Sequence, residues 1–441
     1  MNNDPEHAAE RRFGSHNGQV TVMPTTILTG ANIFDATGAA PFQGDVAIEA
    51  GRITAVSRNP GQLSRAGGEV VDARGLFLMP GMTEGHAHLS FEDVTQPEDL
   101  MKRPTEEHVL LTARVAKKLL DQGFTSAYGA SEAKLRLGVA VRNEVDAGRI
   151  PGPRIRAGSL EITVTGGMGD ESRLHLEREG MSMVVDGPEE MRKAVRLCCR
   201  EGCDNIKLDV SGDPFYAAPS SATPMSLEEI RVAVETAHSF GRKVNAHTRS
   251  IEGTQKCLKA GVDVLFHVEF TDDETLDMLE EAKDRVLVAP SVGLLHTMLY
   301  EASAFGVTKE VATAMGIAEL LEASQKTHTE LRKRGIRHLI GGDYGLAFSP
   351  NGANARDLKH FVDYYGYRPE EALVCATRHG GLAMRNEGDL GTITPGALAD
   401  LLLVKGDPLK DIAIMTDAER LVLIMKGGQI HKNRVEKRNE A

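Results

Sequence analysis

No apolar run in this 441-residue chain approaches the roughly 20 residues needed to span a bilayer, so a transmembrane helix is not expected. Residues 1–23 lack the apolar centre of a secretory signal and read as a disordered lead-in. Basic residues are outnumbered, 51 Lys plus Arg against 63 Asp plus Glu, for a formal net charge of −12. A general nucleic-acid binder needs a basic face, and that class is excluded. Cysteine is scarce and odd in number: Cys198, Cys199, Cys203, Cys257 and Cys375. Three of the five crowd one helical stretch, which is no disulfide framework and points to the cytoplasm. A zinc cluster there would want a second ligand pair at a set distance, so helix packing is the simpler reading. A glycine-rich phosphate loop after the first strand is also missing, which disfavours a doubly wound nucleotide-binding sheet.

What is present is a soluble, globular composition, 41% hydrophobic and 26% charged, with room for one large domain or two to three ordinary ones. The two ends share a strand-rich texture. Thr26–Asp35 reads as a strand and turn, Asp45–Val56 as a hairpin tipped by Ala50-Gly51, Ala399–Val404 as a strand, and Leu421–Ile430 as a second hairpin. The middle alternates short apolar strands with amphipathic helical runs. Eight strand candidates stand out: Leu76–Met79 continuing to His88, Phe124–Gly129, Arg154–Leu160, Asn205–Val210, Lys243–Thr248, Val264–Phe270, Val286–Val292 and His338–Tyr344. Between them lie Glu106–Gln122, Pro188–Glu201, Ser226–Phe240, Asp273–Lys283 and Val311–Arg334. The alternation predicts an α/β fold, a (β/α)8 TIM barrel over 76–386. Residues 24–75 and 387–435 would form a small composite β-sandwich from both chain ends.

The chemistry gathers at the predicted strand ends. Gly85-His86-Ala87-His88 carries two histidines one residue apart, which on a strand point to one face and suit a divalent metal. Lys207 lies on the fourth strand, His247 ends the fifth, His267 ends the sixth, and Asp343 ends the eighth. Singly, each has a plainer reading: a core histidine, a paired lysine, a turn aspartate. Together they occupy the end of a barrel where enzymes of this architecture keep their chemistry.

This set resembles the amidohydrolase superfamily, over nearly the whole chain. Pro80-Gly81-Met82 before His86 and His88 looks like its first-strand signature, and Gly391–Leu401 looks like its return to the β-domain. The chain is most similar to the imidazolonepropionase-like and Xaa-Pro dipeptidase-like branch, which includes ochratoxin amidases and hydrolases of phenylurea and thiocarbamate herbicides. The resemblance implies two divalent metals, zinc foremost, with manganese, iron or cobalt also suited to the ligands. It implies that His86, His88 and Asp343 hold one ion and His247 and His267 the other. Lys207, carboxylated, would bridge them, and Asp343 would be the catalytic proton shuttle. A homo-oligomer is expected.

Two positions depart from the dipeptidase-like pattern. Met168 stands in Thr165-Gly166-Gly167-Met168-Gly169-Asp170, where relatives carry histidine, and Met225 precedes Ser226, where they often carry tyrosine. Both are candidate substrate contacts that favour an apolar small molecule, and His296, after the seventh strand, is a third. His328 is expected on a helix surface. The leading expectation is a metal-dependent hydrolase of a C–N bond in a small apolar amide, urea or carbamate, such as a phenylurea. The alternatives are a dipeptidase- or carboxypeptidase-like amidase, including ochratoxin-type substrates, and a barrel that has lost catalysis and serves as a binding protein.

Overall fold

The computed structural model describes residues 25–436 apart from 65–67, 173, 176–179 and 386. The expected lead-in 1–23 lies outside the described residues. The chain opens with β1 (Thr26–Ile33), β2 (Phe42–Glu49), β3 (Arg52–Ser57), β4 (Glu69–Asp72) and β5 (Phe77–Pro80). β2 and β3 form the expected hairpin, Glu49 opposite Arg52. Ala50 and Gly51 at its tip both have positive φ, 50° and 81°, the turn whose twist matches paired strands. β1 runs antiparallel to β2 and parallel to β4 and then β5.

The expected first barrel strand is in fact two strands. β5 pairs antiparallel with a strand from the far end of the chain, Leu401–Val404. Only after Gly81 does the chain enter the parallel array. A Cβ at Gly81 would lie 2.1 Å from Thr125 Oγ1, so the hand-over point has room for glycine alone. Phe77–Pro80 therefore belongs to the terminal sheet, and the boundary moves from 76 to about 81.

The parallel array comprises β6 (Met82–Ala87), β7 (Phe124–Gly129), β8 (Arg154–Arg156), β9 (Gly158–Thr163), β10 (Ser182–Val184), β11 (Asn205–Asp209), β12 (Lys243–Thr248), β13 (Val264–His267) and β14 (Leu287–Ala289). Its ladders run β6-β7-β8 and β10-β9-β11-β12-β13-β14. Every residue of β6, β7, β11 and β13 is buried, as strands covered on both faces must be. The predicted eighth strand forms no ladder of its own. It is stitched in by a few bonds: Val288 N donates to Arg337 O (3.1 Å) and Leu339 N to Val288 O (2.8 Å) on one side, and Gly85 N to Ile340 O (2.9 Å) on the other. On the opposite side of the array, Glu132 N donates to Ser159 O and Asp204 N to Ala157 O.

The chain returns to the first sheet as β15 (Leu401–Val404), β16 (Leu421–Lys426) and β17 (Gln429–Asn433). Strands from both ends thus make one mixed sheet of eight, ordered β17-β16-β15-β5-β1-β2-β3 with β4 also on β1.

Helices link the parallel strands. Gly187–Arg200 buries Met191, Ala194, Val195, Cys198 and Cys199, one stripe at helical spacing. The cysteine cluster is therefore packing, and all five cysteines are free and buried. The helix predicted over Val311–Arg334 is split in two, Lys309–Ala314 and Ile317–Lys333, by Gly316 at φ 85°. No helix among the described residues is long and apolar enough to cross a membrane.

Candidate metal centre

The ends of the parallel strands deliver their polar side chains into one pocket. His86, His88, Lys207, His247, His267 and Asp343 all line it. The four histidines and Lys207 are at most 3% exposed. Asp343 retains 18% of its side-chain surface.

The backbone is bent where these residues sit. His267 and Asp343 have φ of 75° and 63°, and Ser291, which holds His86, has 60°. Such conformations are costly for residues with a Cβ and persist where the surroundings hold them. Here they turn side chains at strand ends inward.

Three of the four histidines are oriented by a hydrogen bond to the ring. His86 Nδ1 meets Ser291 Oγ at 2.8 Å, and the ring stacks on Phe266. His88 Nδ1 meets Ser131 O at 3.2 Å and Ser131 Oγ at 3.1 Å, and its ring stacks on Phe91. Both then present Nε2 to the same carboxylate oxygen: Asp343 Oδ1 is 3.7 Å from His86 and 3.0 Å from His88. His247 Nε2 lies 3.2 Å from Gly212 O, and its ring stands edge-on to His267 at 4.2 Å. Lys207 Nζ sits between Asp209 Oδ1 (3.7 Å) and Glu161 Oε1 (3.9 Å), both beyond hydrogen-bond reach.

Electrostatics favour cation binding. Burial holds the His86, His247 and His267 imidazoles well below their ordinary pKa, so they are neutral with a free lone pair. Burial alone would raise the Asp343 carboxyl, but the facing His86 and His88 outweigh it and keep it far below the usual range, hence ionised. His86 Nε2 and His267 Nδ1 are buried with no hydrogen-bond partner among the described residues. With an Asp343 oxygen, one atom of each comes within 4.8 Å of the others. Two unpartnered imidazole nitrogens facing an ionised carboxylate are a donor set that fits a divalent cation. His86, His267 and Asp343 thus form one candidate donor group, with His88 Nε2 against the same Asp343 oxygen at 3.0 Å.

Behind the ligands lies a charged layer that the motif alone did not suggest. Arg249 is fully buried, donating to Asp213 Oδ2 at 2.8 Å and pairing with Glu269. Its signal was available: His247-Thr248-Arg249 and His267-Val268-Glu269 put opposite charges two residues past histidines at the ends of neighbouring strands. Burial lifts the Glu269 carboxyl to about 7 despite Arg249.

His328 corrects another expectation, because it is fully buried rather than on a helix surface. Its Nε2 lies 2.7 Å from the carbonyl of His267 and must donate to it. Its Nδ1 therefore accepts from His338 Nε2 (3.0 Å), whose Nδ1 accepts from the Tyr367 hydroxyl (2.7 Å). This directed chain fixes both tautomers and holds the left-handed backbone of His267.

The expected substrate contacts divide. Met168 lines the pocket, with Phe91, Met181, Phe215, Tyr216, Leu294, Tyr344 and Leu346. Met225 does not: it is wholly buried in the hydrophobic core, one residue before the Ser226 capping box that starts the next helix. His296 does not either. It lines a separate surface cavity, its ring nitrogens taken by Tyr364 Oη (2.7 Å) and Glu301 Oε1 (3.1 Å).

Comparison with known proteins gives the same direction. A model of the amidohydrolase family matches residues 77–431. The chain is 27% identical over 381 residues to ochratoxinase of Aspergillus niger, covering 80% of this chain and 75% of that protein. Its fold is similar to that of a prolidase solved with N-methylphosphonate-L-proline, with a TM-score of 0.83, 24% identity, and coverage of 93% of this chain and 100% of that one. It is also similar to phenylurea hydrolase B, with a TM-score of 0.73 and 20% identity over 92% of this chain and 96% of that one.

Proposed function

The chain belongs to the amidohydrolase family, and within that hydrolase family we propose a metal-dependent enzyme that cleaves the C–N bond of a small, uncharged, largely apolar amide, urea or carbamate. We read the parallel array, β6 to β14 with the His338–Tyr344 segment between its ends, as a closed (β/α)8 barrel with the pocket at its C-terminal end. His86, His88, His247, His267 and Asp343 would hold a pair of divalent ions, with carboxylated Lys207 between them. Bound there, such ions would polarise the scissile carbonyl and acidify a water.

The chain's own groups account for the rest. Asp343, ionised and partly open to the pocket, can take a proton from water and return it to the leaving nitrogen. Phe91, Met168, Met181, Phe215, Leu294 and Leu346 form an apolar wall that fits a ring or alkyl group. The observation that carries the substrate class is what the wall lacks. Among the described lining residues Lys207 is the one cation, and it lies among the metal ligands. A substrate with a free carboxylate would leave that charge unpaired, so neutral substrates are favoured.

A second reading is an amidase that releases an amino acid, which the 27% identity to ochratoxinase supports. A panel of phenylureas, N-acyl anilines, carbamates, N-acyl amino acids and dipeptides, assayed after loading with zinc, manganese or cobalt, separates the two. Release of anilines from neutral substrates is expected. Turnover confined to substrates with a free carboxylate would replace the first reading with the second.

A further inference from the structure

Three lining residues of the pocket carry a buried side-chain polar atom with no hydrogen-bond partner among the described residues: His86 Nε2, His267 Nδ1 and the Tyr216 hydroxyl. The first two are nitrogens with the lone pairs a metal needs. The third is a phenol, a hydrogen-bond donor. A buried donor left unpaired is costly, so one lining a pocket calls for an acceptor supplied from outside the chain.

Tyr216 sits on the segment between β11 and the helix Leu227–Ser239, one of the strand-to-helix connections that crown the pocket. Its side chain is mostly covered, and its oxygen is buried. The segment is held from below. Phe215 N donates to Asp213 Oδ1 (3.0 Å) and Tyr216 N to Asp213 O (3.0 Å). Asp213 Oδ2 accepts from the buried Arg249 (2.8 Å). Gly212 O, one residue earlier, meets His247 Nε2 at 3.2 Å. At Gly212 a Cβ would stand 2.2 Å from the carbonyl oxygens of Ala218 and Pro219, so the connection folds back tightly on itself. The residues that orient the metal-ligand histidine therefore also fix the tyrosine. Burial, with Glu161, Asp213 and Asp209 nearby, pushes the phenol well above its ordinary pKa, and it remains protonated and able to donate.

We propose that Tyr216 is a catalytic residue whose hydroxyl donates a hydrogen bond to the scissile carbonyl oxygen of the substrate and holds the charge that grows there during hydrolysis. This rests on the hydrolase reading of the same pocket. The proton stays on Tyr216 throughout. The role explains how a pocket with methionine at 168, and with Met225 turned into the core, still offers a polar contact to substrate.

The test is Tyr216→Phe, read in two ways. In the metal-free protein, removing an unpartnered hydroxyl should leave the melting temperature unchanged or raised. A clear fall means that the hydroxyl has a partner inside the chain, which overturns the proposal. In the metal-loaded enzyme, on whichever panel substrate the parent cleaves, kcat should drop on the order of 10²–10³-fold, as when an oxyanion donor is lost, with metal content unchanged. A loss seen in KM alone, or activity within a few-fold of the parent, would also overturn it. If the parent cleaves nothing on the panel, the hydrolase reading itself fails, and the melting measurement still decides whether the hydroxyl is unpartnered.

Discussion

Asp343 shows how much one residue can be asked to do. Its Oδ1 faces two histidine nitrogens at 3.0 and 3.7 Å, it sits at φ 63°, and it keeps part of its side chain open to the pocket. Asparagine tolerates that backbone and retains an acceptor oxygen, so Asp343→Asn should fold and hold metal. It cannot carry a proton between water and a leaving group. We expect kcat to fall on the order of 10²–10⁴-fold, the usual contribution of a positioned acid–base group, with metal content close to the parent by elemental analysis. A variant that keeps most of its activity would remove Asp343 from the proton path. One that loses metal and activity together would make it a ligand first.

At the scale of elements, the joint between the two sheets is the weak point to probe. Asp400, 2% exposed, stands just before β15 in the mixed sheet and takes Nε and Nη2 of Arg154, on β8 of the parallel array, both at 2.9 Å. It also accepts from Gly427 N (2.6 Å) and passes its own carbonyl to Gly81 N at the hand-over. Asp400→Ala would strand Arg154 and the Gly427 amide together. A loss of roughly 2–4 kcal/mol is expected in urea unfolding, below the full cost of an orphaned buried charge because Arg154 keeps some exposure. A change within experimental error would mean that apolar packing alone holds the joint. This joint also marks the limit of what the sequence could tell. Alternation of apolar and polar runs located the strands, and period-two spacing located His86 and His88. Periodicity could not say that Phe77–Pro80 and Met82–Ala87 belong to different sheets, because an all-buried run reads alike in either. Nor could it place Met225 or His296, since a residue just beyond a strand or at a helix start faces pocket or core according to loop geometry that no spacing encodes. His328 differs for a related reason: its helix faces inward there, so a polar residue on the inner face finds its partners in the His267 carbonyl and His338 rather than in water.

Taken whole, the molecule brings candidate ligands to one pocket from the ends of β6, β12, β13 and the His338–Tyr344 segment, far apart in the chain. A cation bound there stabilises the folded chain by mass action, because the unfolded chain offers no such site. At a thousand-fold excess over Kd this is about 4 kcal/mol. Protons oppose it. His86, His247 and His267 are held well below their ordinary pKa by burial, His328 is lowered to about 3 and His379 to about 4. A group whose folded pKa is depressed contributes stability above its unfolded value, near 6.5, and that stability is lost as pH falls toward the folded value. These histidines are neutral when folded and take up protons on unfolding, so each adds a slope of about 1.4 kcal/mol per pH unit below about 6.5. Chelation at pH 7.5 should therefore lower the melting temperature by several degrees. Acidification from pH 6.5 to 4.5 should lower it in metal-loaded and chelated protein alike. The gap between the two should hold while the folded histidines stay neutral and narrow only as pH approaches their depressed folded values, where protons begin to compete with metal for the same nitrogens. A gap that already closes just below pH 6.5 would mean that the stabilising cation is held by exposed histidines of ordinary pKa, and not by the buried histidines of this pocket.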